Sequence, residues 1–385
     1  MSWLPRKCEL SFGTTSHDDN IATAPPQHEG NDMKAFEQGL AAGEADSSGG
    51  GGASKGPAKP DRMYVRTQGF GDTDEEMRFL QRCGVKHKAG RFPFHEGKGW
   101  DLDELNQIRE RHESFGMTLD MSALPIYEQF PSIIYYGKSP DRDRDIDLVC
   151  EMIRTASRAG IDSLRYNTCV LNIDRTEAEV GRGGYMHTAF RLDKFPKEKR
   201  EELTDAGRVT EEMRWERAEY LLERMIPVAE ECKVRMGNSQ EDPAVPLNFR
   251  GVDKILNEFE GMKRYTEIQR SPYHGWNFCV GSVAEGLEDC ANEIFPIIEY
   301  FGSRDTIHLV HYRNLLGGRY SFREALPDEG DMDFCKVLRA LKDVGYCYGI
   351  DPDHVPRTDD DPLKYYQSYA YCFGYINAMI QSVYT

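Results

Sequence analysis

One pattern recurs along most of the chain: an amphipathic helix, a glycine, and then a short apolar strand that finishes in polar residues. It occurs as MRFLQRCG before VKHKAGRF, as IRTASRAG before IDSLRYN, and as LKDVG before YCYGIDPDH. With MYVRTQ near residue 63, VRMGN near 234 and WNFCVGS near 276, eight strand candidates alternate with eight helix candidates. This alternation predicts an α/β fold, a (β/α)₈ TIM barrel.

Local signals at the helix ends agree with this pattern. Glycines stand where five helices are expected to end in a left-handed residue. They are Gly84, Gly116, Gly160, Gly302 and Gly345. At the helix starts, Thr73 with Glu76 and Asp101 with Glu104 have the spacing of a capping box. An open doubly wound sheet would show the same alternation, but no GxGxxG follows the first strand, so a closed barrel is favoured.

Residues 1–60 differ in composition from the rest of the chain. They contain few aliphatic residues and finish in ADSSGGGGASKGPAKP. Such a segment cannot bury enough apolar surface to offset the entropy lost on ordering. We therefore expect a disordered tail with a Gly/Ser-rich linker over residues 1–60, followed by one catalytic TIM-barrel domain over residues 61–385.

Charge and cysteine usage exclude several classes of protein. The 48 basic and 65 acidic side chains give a net charge of -17, which repels nucleic acid and anionic membrane surfaces. No apolar run reaches the roughly 20 residues that span a bilayer. The start MSWLPRKCELSF lacks the apolar core of a secretory signal. The ten cysteines form no CxxC pair and are expected to be reduced. These features predict a cytoplasmic protein with neither nucleic acid nor membrane as partner.

Candidate metal ligands stand at the ends of three successive strands. The C-terminal ends of all strands in a TIM barrel converge on one mouth. Cys279, His311 and Asp353 offer a thiolate, an imidazole and a carboxylate there, a set that suits Mn²⁺, Fe²⁺ or Zn²⁺ better than Mg²⁺. A strand cysteine is more often a small buried hydrophobe, and a strand-end histidine is often only hydrogen-bonded. The coincidence of all three at one mouth favours a metal site.

Other polar residues have separate interpretations. His354 follows Asp353 between two prolines and is a candidate acid or base. Arg313 suits a substrate carboxylate, with a plain ion pair as an equal alternative. His112 lies on an apolar helix face, and strand alternation turns His308 away from His311, so both are expected to be structural.

The connection after the fourth strand is unusually long, with roughly 40 residues before the helix near Thr210. It carries the glycine-rich sequence VGRGGY. Loops of this length over a barrel mouth are often lids, so a lid is predicted here.

These segments resemble the mannonate dehydratase family. The likeness is carried by YNTCVLNIDRT, GRGGY, NFCVGS, IHLVHYRN, FREALPDEGDMDFCKVLRALKDVGY, PDH at 352–354 and GYINAMIQ, and it spans roughly residues 62–382. It implies a metal-dependent hydro-lyase on a xylose isomerase-like TIM barrel that converts D-mannonate to 2-keto-3-deoxy-D-gluconate in hexuronate (glucuronate) catabolism. It also implies that Cys279, His311 and Asp353 are metal ligands, with Mn²⁺ or Fe²⁺ ahead of Zn²⁺.

The chain departs from the family pattern at one ligand. The family's fifth strand usually ends in a histidine that supplies a fourth ligand, whereas VRMGNSQEDP places Ser239 there. A serine hydroxyl is a poor ligand beside imidazole, and losing a ligand weakens metal binding. Asn238, Glu241 or a water molecule could take the position.

The resemblance also suggests roles for other residues, as hypotheses. Proton exchange is assigned to His354 or Tyr166, orientation of the acid to Arg313 and Asn167, and exclusion of water to the loop with Arg182 and Tyr185. Asn167, Arg182 and Tyr185 are also expected to bind the substrate. The alternatives are a sugar or sugar-acid isomerase or epimerase on the same barrel, and a non-catalytic sugar-acid-binding barrel. The expected partner is a small sugar acid, and assembly into a homo-oligomer stays open.

Overall fold

A computed structural model describes residues 59–171, 173, 175–361 and 365–385. Within these residues the chain forms twelve strands. They are β1 (Tyr64–Thr67), β2 (His87–Gly90), β3 (Thr118–Ala123), β4 (Ser163–Tyr166), β5 (Thr176–Val180), β6 (Met186–Arg191), β7 (Arg235–Ser239), β8 (His274–Cys279), β9 (Ile307–His311), β10 (Asn314–Gly318), β11 (Ser321–Ala325) and β12 (Gly349–Asp351). Eight of them close a parallel barrel in the order β1-β12-β9-β8-β7-β4-β3-β2. The predicted TIM barrel is confirmed.

Helices follow each barrel strand and cover the outside of the barrel. They are α1 (Asp74–Arg82), α2 (Leu102–Ser114), α3 (Ile126–Gln129), α4 (Pro140–Arg158), α5 (Lys197–Glu201), α6 (Glu211–Cys232), α7 (Phe259–Ile268), α8 (Val280–Ala284), α9 (Cys290–Gly302), α10 (Phe334–Asp343) and α11 (Tyr366–Val383). The predicted capping box at Thr73 and Glu76 is present. Asp101 accepts from the first turn of α2, but the Glu104 carboxylate contacts His95 Nε2 at 2.7 Å instead of closing a box.

Four of the five glycines predicted at helix ends adopt the left-handed conformation. Gly84, Gly116, Gly160 and Gly345 have φ between +67° and +83°. The prediction for Gly302 is wrong, because this residue is the last of α9 and the left-handed residue beyond it is Asp305, with φ +55°. A Cβ on Gly302 would lie 2.2 Å from Val344 Cγ2. Glycine is needed there for close packing rather than for a turn.

The long connection after β4 is not the simple loop that its length predicted. Its strands β5 and β6 form a hairpin, and together with β10 and β11 they make an antiparallel sheet in the order β10-β11-β6-β5. The glycines of VGRGGY form the hairpin turn, where Gly183 and Gly184 have φ +63° and +89°. Phe190 and Phe322 pack across the sheet with ring centroids 6.1 Å apart. Segments that follow β4 and β9 are thereby joined beside the barrel.

The predicted tail and linker over residues 1–60 lie outside the described residues, apart from residues 59 and 60. The nine described cysteines are unpaired. None of the described helices combines the length and apolar character that crossing a membrane requires. His112 and His308 are buried, with ring nitrogens 2.7 Å from Ile108 O and 3.0 Å from Met236 O, which agrees with their expected structural roles.

Candidate metal centre

The barrel register brings the three candidate ligands together. Cys279 and His311 lie opposite each other in β8 and β9, and His311 lies opposite Asp351 in β12, two residues before Asp353. Cys279 Sγ is 3.5 Å from Asp353 Oδ2, and His311 Nδ1 is 3.2 Å from Asp353 Oδ1. One ligand atom from each residue lies within 4.8 Å of the others. This spacing is compatible with a single ion held by all three side chains.

The electrostatics of these groups also fit a cation. Burial and the Asp353 carboxylate raise the pKa of the Cys279 thiol to about 12. Burial alone would raise the pKa of Asp353, but His354 and His311 hold it well below its ordinary value. A divalent cation would favour the Cys279 thiolate beside this carboxylate, which burial and charge repulsion otherwise oppose. The sulfur, nitrogen and oxygen donors match Mn²⁺, Fe²⁺ or Zn²⁺.

Ser239, at the expected place of a fourth ligand, is hydrogen-bonded to a neighbouring amide. It lies opposite Asn277 in β7 and β8, and its Oγ accepts from Asn277 Nδ2 at 3.1 Å. The same Nδ2 lies 3.2 Å from His311 Nε2, and Asn277 Oδ1 is buried without a hydrogen-bond partner among the described residues. Asn277 was not among the residues predicted from the sequence. Strand alternation carried the signal, because residues 277 and 279 share one face of β8.

Neither of the protein groups suggested as a replacement ligand is directed at the cluster. Asn238 is next to Ser239 in β7, so it faces the other way, and its Nδ2 donates to Thr168 Oγ1 at 3.1 Å. Glu241 accepts from Arg214 Nη1 at 2.7 Å and from two backbone amides at 2.8 and 3.0 Å. These contacts do not support Asn238 or Glu241 as the replacement ligand, and of the three alternatives they leave the water molecule.

Arg313 is buried among carboxylates and is not open to a substrate. Its Nη1 lies 2.8 Å from Glu285 Oε1 and 2.6 Å from Glu324 Oε1. Its Nη2 lies 2.9 Å from Asp242 Oδ2, and its Nε lies 3.3 Å from Asp353 Oδ2. The structure therefore does not support Arg313 as a residue that orients the acid. The alternative role of Arg313 as an ion-pair partner fits these contacts better. One of its ion pairs is with the candidate ligand Asp353.

Arg175, which was not predicted as a site residue, is a partly exposed neighbour of this network. It precedes β5, and 21% of its side chain is exposed. It pairs with Asp242, and its Nη2 is 3.5 Å from Glu324 Oε1. The signal was present in the family-like segment NIDRT, which contains this arginine.

His354 stands beside the cluster with half of its side chain accessible. The His354 side chain is 51% exposed, with Nδ1 3.0 Å from Glu324 Oε1 and Nε2 3.9 Å from Asp353 Oδ1. The Asp353 carboxylate, aided by Glu324, raises the pKa of His354 to about 9. A cation bound at Asp353 would oppose this shift. The position is compatible with the predicted acid or base role, which stays a prediction.

Tyr166 and Asn167 are engaged away from the cluster. The Tyr166 hydroxyl is buried 3.0 Å from the Tyr265 hydroxyl, and burial raises its pKa well above the ordinary value. Proton exchange with a substrate is therefore not supported for Tyr166. Asn167 Oδ1 accepts from the backbone N–H of Cys169 at 2.6 Å, which stabilises the turn after β4.

The two hairpin residues expected to exclude water have contacts outside the cluster. Arg182 Nη1 lies 2.6 Å from Asp328 Oδ2, with 46% of the arginine side chain exposed. Tyr185 is half-buried, and its ring centroid is 6.5 Å from that of His187. Contact of either residue with a substrate stays a prediction.

Comparison with known proteins identifies the family. The family model of D-mannonate dehydratase (UxuA) matches residues 189–384. The mannonate dehydratase of Thermotoga petrophila is 30% identical over 319 residues, which cover 74% of this chain and 86% of that protein. The chain belongs to the mannonate dehydratase family. The mannonate dehydratase of Streptococcus pneumoniae (strain 70585) is 27% identical over 295 residues, covering 70% of this chain and 78% of that protein.

Solved structures agree on the fold of this family member. The crystal structure of mannonate dehydratase from Streptococcus suis serotype 2 matches with a TM-score of 0.69 at 23% identity, covering 84% of this chain and 93% of that chain. A xylose isomerase domain protein from Alicyclobacillus acidocaldarius matches with a TM-score of 0.54 at 14% identity, covering 84% and 100%. The mannonate dehydratase family is one of metal-dependent hydro-lyases, and the resemblance found in the sequence is confirmed.

Proposed function

We propose that this protein dehydrates D-mannonate to 2-keto-3-deoxy-D-gluconate, a step of hexuronate catabolism, with a divalent cation held by Cys279, His311 and Asp353. The observation that carries the proposal is the convergence of these three buried side chains within 4.8 Å in a chain of this family. Mn²⁺, Fe²⁺ and Zn²⁺ are the candidate ions, because the set mixes a soft thiolate with imidazole and carboxylate, and the resemblance to the family puts Mn²⁺ and Fe²⁺ first. The use of unpaired cysteines favours a cytoplasmic location.

The reaction removes a proton from C2, next to the carboxylate, and hydroxide leaves from C3. The resulting enol then becomes the 2-keto acid. Negative charge develops in both bond-breaking steps. When bound, a divalent cation supplies Lewis-acid stabilisation of this charge. The protein must still bind the acid, hold its orientation and exchange protons.

Arg175 is the better candidate for binding the substrate carboxylate. Its side chain is partly exposed, whereas Arg313 is buried by four carboxylates. An arginine fork pairs well with a planar carboxylate. Arg313 instead contacts both Cys279 Sγ at 3.7 Å and Asp353, so its role is to hold two candidate ligands in place.

His354 is the candidate for proton exchange. Its Nδ1 lies against Glu324, which leaves Nε2 of a half-exposed ring for the substrate. In that position the imidazole takes the proton from C2 or delivers one to the leaving hydroxyl oxygen. Imidazole acid-base catalysis of this kind accounts for a factor of roughly 10² to 10⁴ in rate.

The test is incubation of the purified protein with D-mannonate and Mn²⁺, followed by detection of a 2-keto-3-deoxy acid and of metal content. A product one water lighter than the substrate, lost in His311→Ala together with the metal, supports the proposal. A product of unchanged mass would indicate an isomerase or epimerase instead. The pairing of Ser239 with Asn277 favours a second candidate, a non-catalytic sugar-acid-binding barrel, which would show thermal stabilisation by mannonate without turnover or bound metal.

A further inference from the structure

We propose that Glu324, on strand β11 of the antiparallel sheet, is a positioning residue that fixes the ring of His354; the inference rests on the proposed dehydration. Glu324 is buried, and its Oε1 lies 3.0 Å from His354 Nδ1 and 2.6 Å from Arg313 Nη1. One carboxylate oxygen therefore joins the half-exposed imidazole to the buried ion network beside the candidate ligands.

The backbone at His354 is held in place, but the His354 side chain is only partly enclosed by the protein. The backbone before it is held, since the Tyr369 hydroxyl donates to Asp353 O at 3.0 Å and Asp353 has φ +58°. Half of the His354 side chain is nevertheless exposed, so packing alone does not select a ring orientation. Donation from Nδ1 to Glu324 selects the orientation in which Nε2 is left for the substrate.

Glu324 itself is fixed from several directions. It lies opposite Leu315 in the β10–β11 pair, and β11 also pairs with β6. From β6, His187 Nδ1 donates to Glu324 O at 2.8 Å. The carboxylate is held further by Arg313 and by Arg175, whose Nη2 lies at 3.5 Å. The antiparallel sheet thus presents a rigid acceptor to a residue that follows barrel strand β12.

A simpler role for Glu324 is to neutralise Arg313. Three other carboxylates already contact that guanidinium, from Asp242, Glu285 and Asp353. A residue that only balances charge would affect stability whether or not His354 is present. A residue that positions His354 would lower kcat only while His354 is there to be positioned, so the two roles are separable.

A double-mutant cycle separates them. Glu324→Ala is expected to lower kcat for mannonate by about 10–100-fold, as the loss of partners that orient reactive side chains commonly does, with KM changed much less. Glu324→Gln, which keeps an acceptor oxygen, should lose less. In a His354→Gln background Glu324→Ala should cause no further loss. Arg323→Gln, on the opposite face of β11, is the control. Losses that multiply across the two sites would overturn the inference.

A second readout does not depend on turnover. In ¹⁵N-histidine-labelled protein, the His354 ring signals, identified by their absence in His354→Gln, should shift in Glu324→Ala and stay in place in Arg323→Gln. Should Glu324→Ala fail to fold, Glu324→Met, which keeps most of the side-chain volume but has no acceptor oxygen, carries both tests. Unmoved His354 signals would sink the positioning role even in an active enzyme. Failure of the proposed function looks different, because the wild-type protein would then release no 2-keto-3-deoxy acid.

Discussion

Ser239 Oγ and Asn277 Nδ2 are 3.1 Å apart, joined by a hydrogen bond between β7 and β8 at the edge of the candidate metal cluster. The same amide nitrogen lies 3.2 Å from His311 Nε2. A neutral hydroxyl, bonded to an amide, therefore stands where the resemblance to the family predicts a fourth imidazole. The candidate centre relies on Cys279, His311 and Asp353, so its affinity should be limited by the number of its ligands.

Replacing Ser239 with histidine should restore a fourth ligand. We expect Ser239→His to tighten Mn²⁺ or Zn²⁺ binding by at least about tenfold, because one ligand of a complete zinc site represents a few kcal/mol. Equilibrium dialysis against a competing chelator measures this change. Ser239→Ala removes the hydroxyl without adding a ligand and should alter the Kd far less. Equal Kd values for the histidine variant and the wild type would show that residue 239 is not a coordination position.

Removing the partly exposed arginine should weaken substrate binding. Arg175→Gln deletes a charge-assisted pair with the substrate carboxylate, worth roughly 1.5–3 kcal/mol, so KM for mannonate should rise by about 10- to 100-fold. Steady-state kinetics at saturating metal measure this change in KM. Arg182→Gln is the informative comparison, because the sequence-based interpretation assigned substrate binding to Arg182. An equal or larger rise in KM for Arg182→Gln would return that role to the hairpin.

The two candidates for proton exchange can be separated by conservative replacements. His354→Gln should lower kcat by about a hundredfold or more while the metal content is retained. Tyr166→Phe should change kcat little, because the hydroxyl it removes is buried against Tyr265. Single-turnover rates and elemental analysis of both variants provide the comparison. Normal turnover in His354→Gln would exclude this imidazole from proton exchange.

Much of the fold was predictable because local sequence patterns indicate its helices and strands. Helix periodicity, capping residues and strand-end polarity each require only a few neighbouring residues, and they correctly predicted the barrel. The antiparallel sheet was missed because β6 pairs with β11, more than 100 residues away in sequence. Nothing in the sequence of either short strand indicates which strand it pairs with. The long connection between β4 and α6 was therefore predicted to be a loop.

The site residues also fall into a group that local sequence patterns predicted and a group that depends on long-range contacts. Cys279, His311 and Asp353 were predicted correctly as neighbours because the backbone topology of a barrel brings all C-terminal strand ends to one mouth. This placement does not depend on the contacts of their side chains. Whether Arg313 and Tyr166 are accessible to a substrate depends on residues from distant segments that pair with them. Glu285 pairs with Arg313, and Tyr265 contacts Tyr166. A strand-end position shows where a backbone ends, but burial and pairing decide which side chains remain open to a substrate.

The wrong prediction for Gly302 leads to a test of packing. A Cβ at this position would lie 2.2 Å from Val344 Cγ2, a separation that requires one of the two segments to move. Gly302→Ala should lower the free energy of unfolding by about 1–3 kcal/mol, the usual cost of overpacking. Val344→Ala in the same chain should recover part of this loss, which urea unfolding can measure. If Gly302 were needed only to end the helix, Val344→Ala would not restore any of the free energy of unfolding that Gly302→Ala loses.

Two buried histidines at the barrel strands should control acid stability. Burial lowers the pKa of both His274 and His308 to about 4. Each ring has Nδ1 hydrogen-bonded to a backbone carbonyl, at 2.9 Å from Gln269 O and 3.0 Å from Met236 O. Their Nε2 atoms are buried without a hydrogen-bond partner among the described residues, so protonation in the folded state is costly.

Because the folded pKa of these histidines lies below the unfolded value of about 6.5, the neutral rings stabilise the fold fully above that pH. The unfolded chain binds more protons between pH 6.5 and 4, so the free energy of unfolding should fall across this window, by up to about 3 kcal/mol for each histidine. His308→Asn keeps a donor for Met236 O but cannot titrate. Urea unfolding at pH 7.5, 6 and 5 should therefore give a shallower pH dependence for this variant than for the wild type. Parallel slopes would mean that His308 does not contribute, because titrations common to both proteins cancel in the difference.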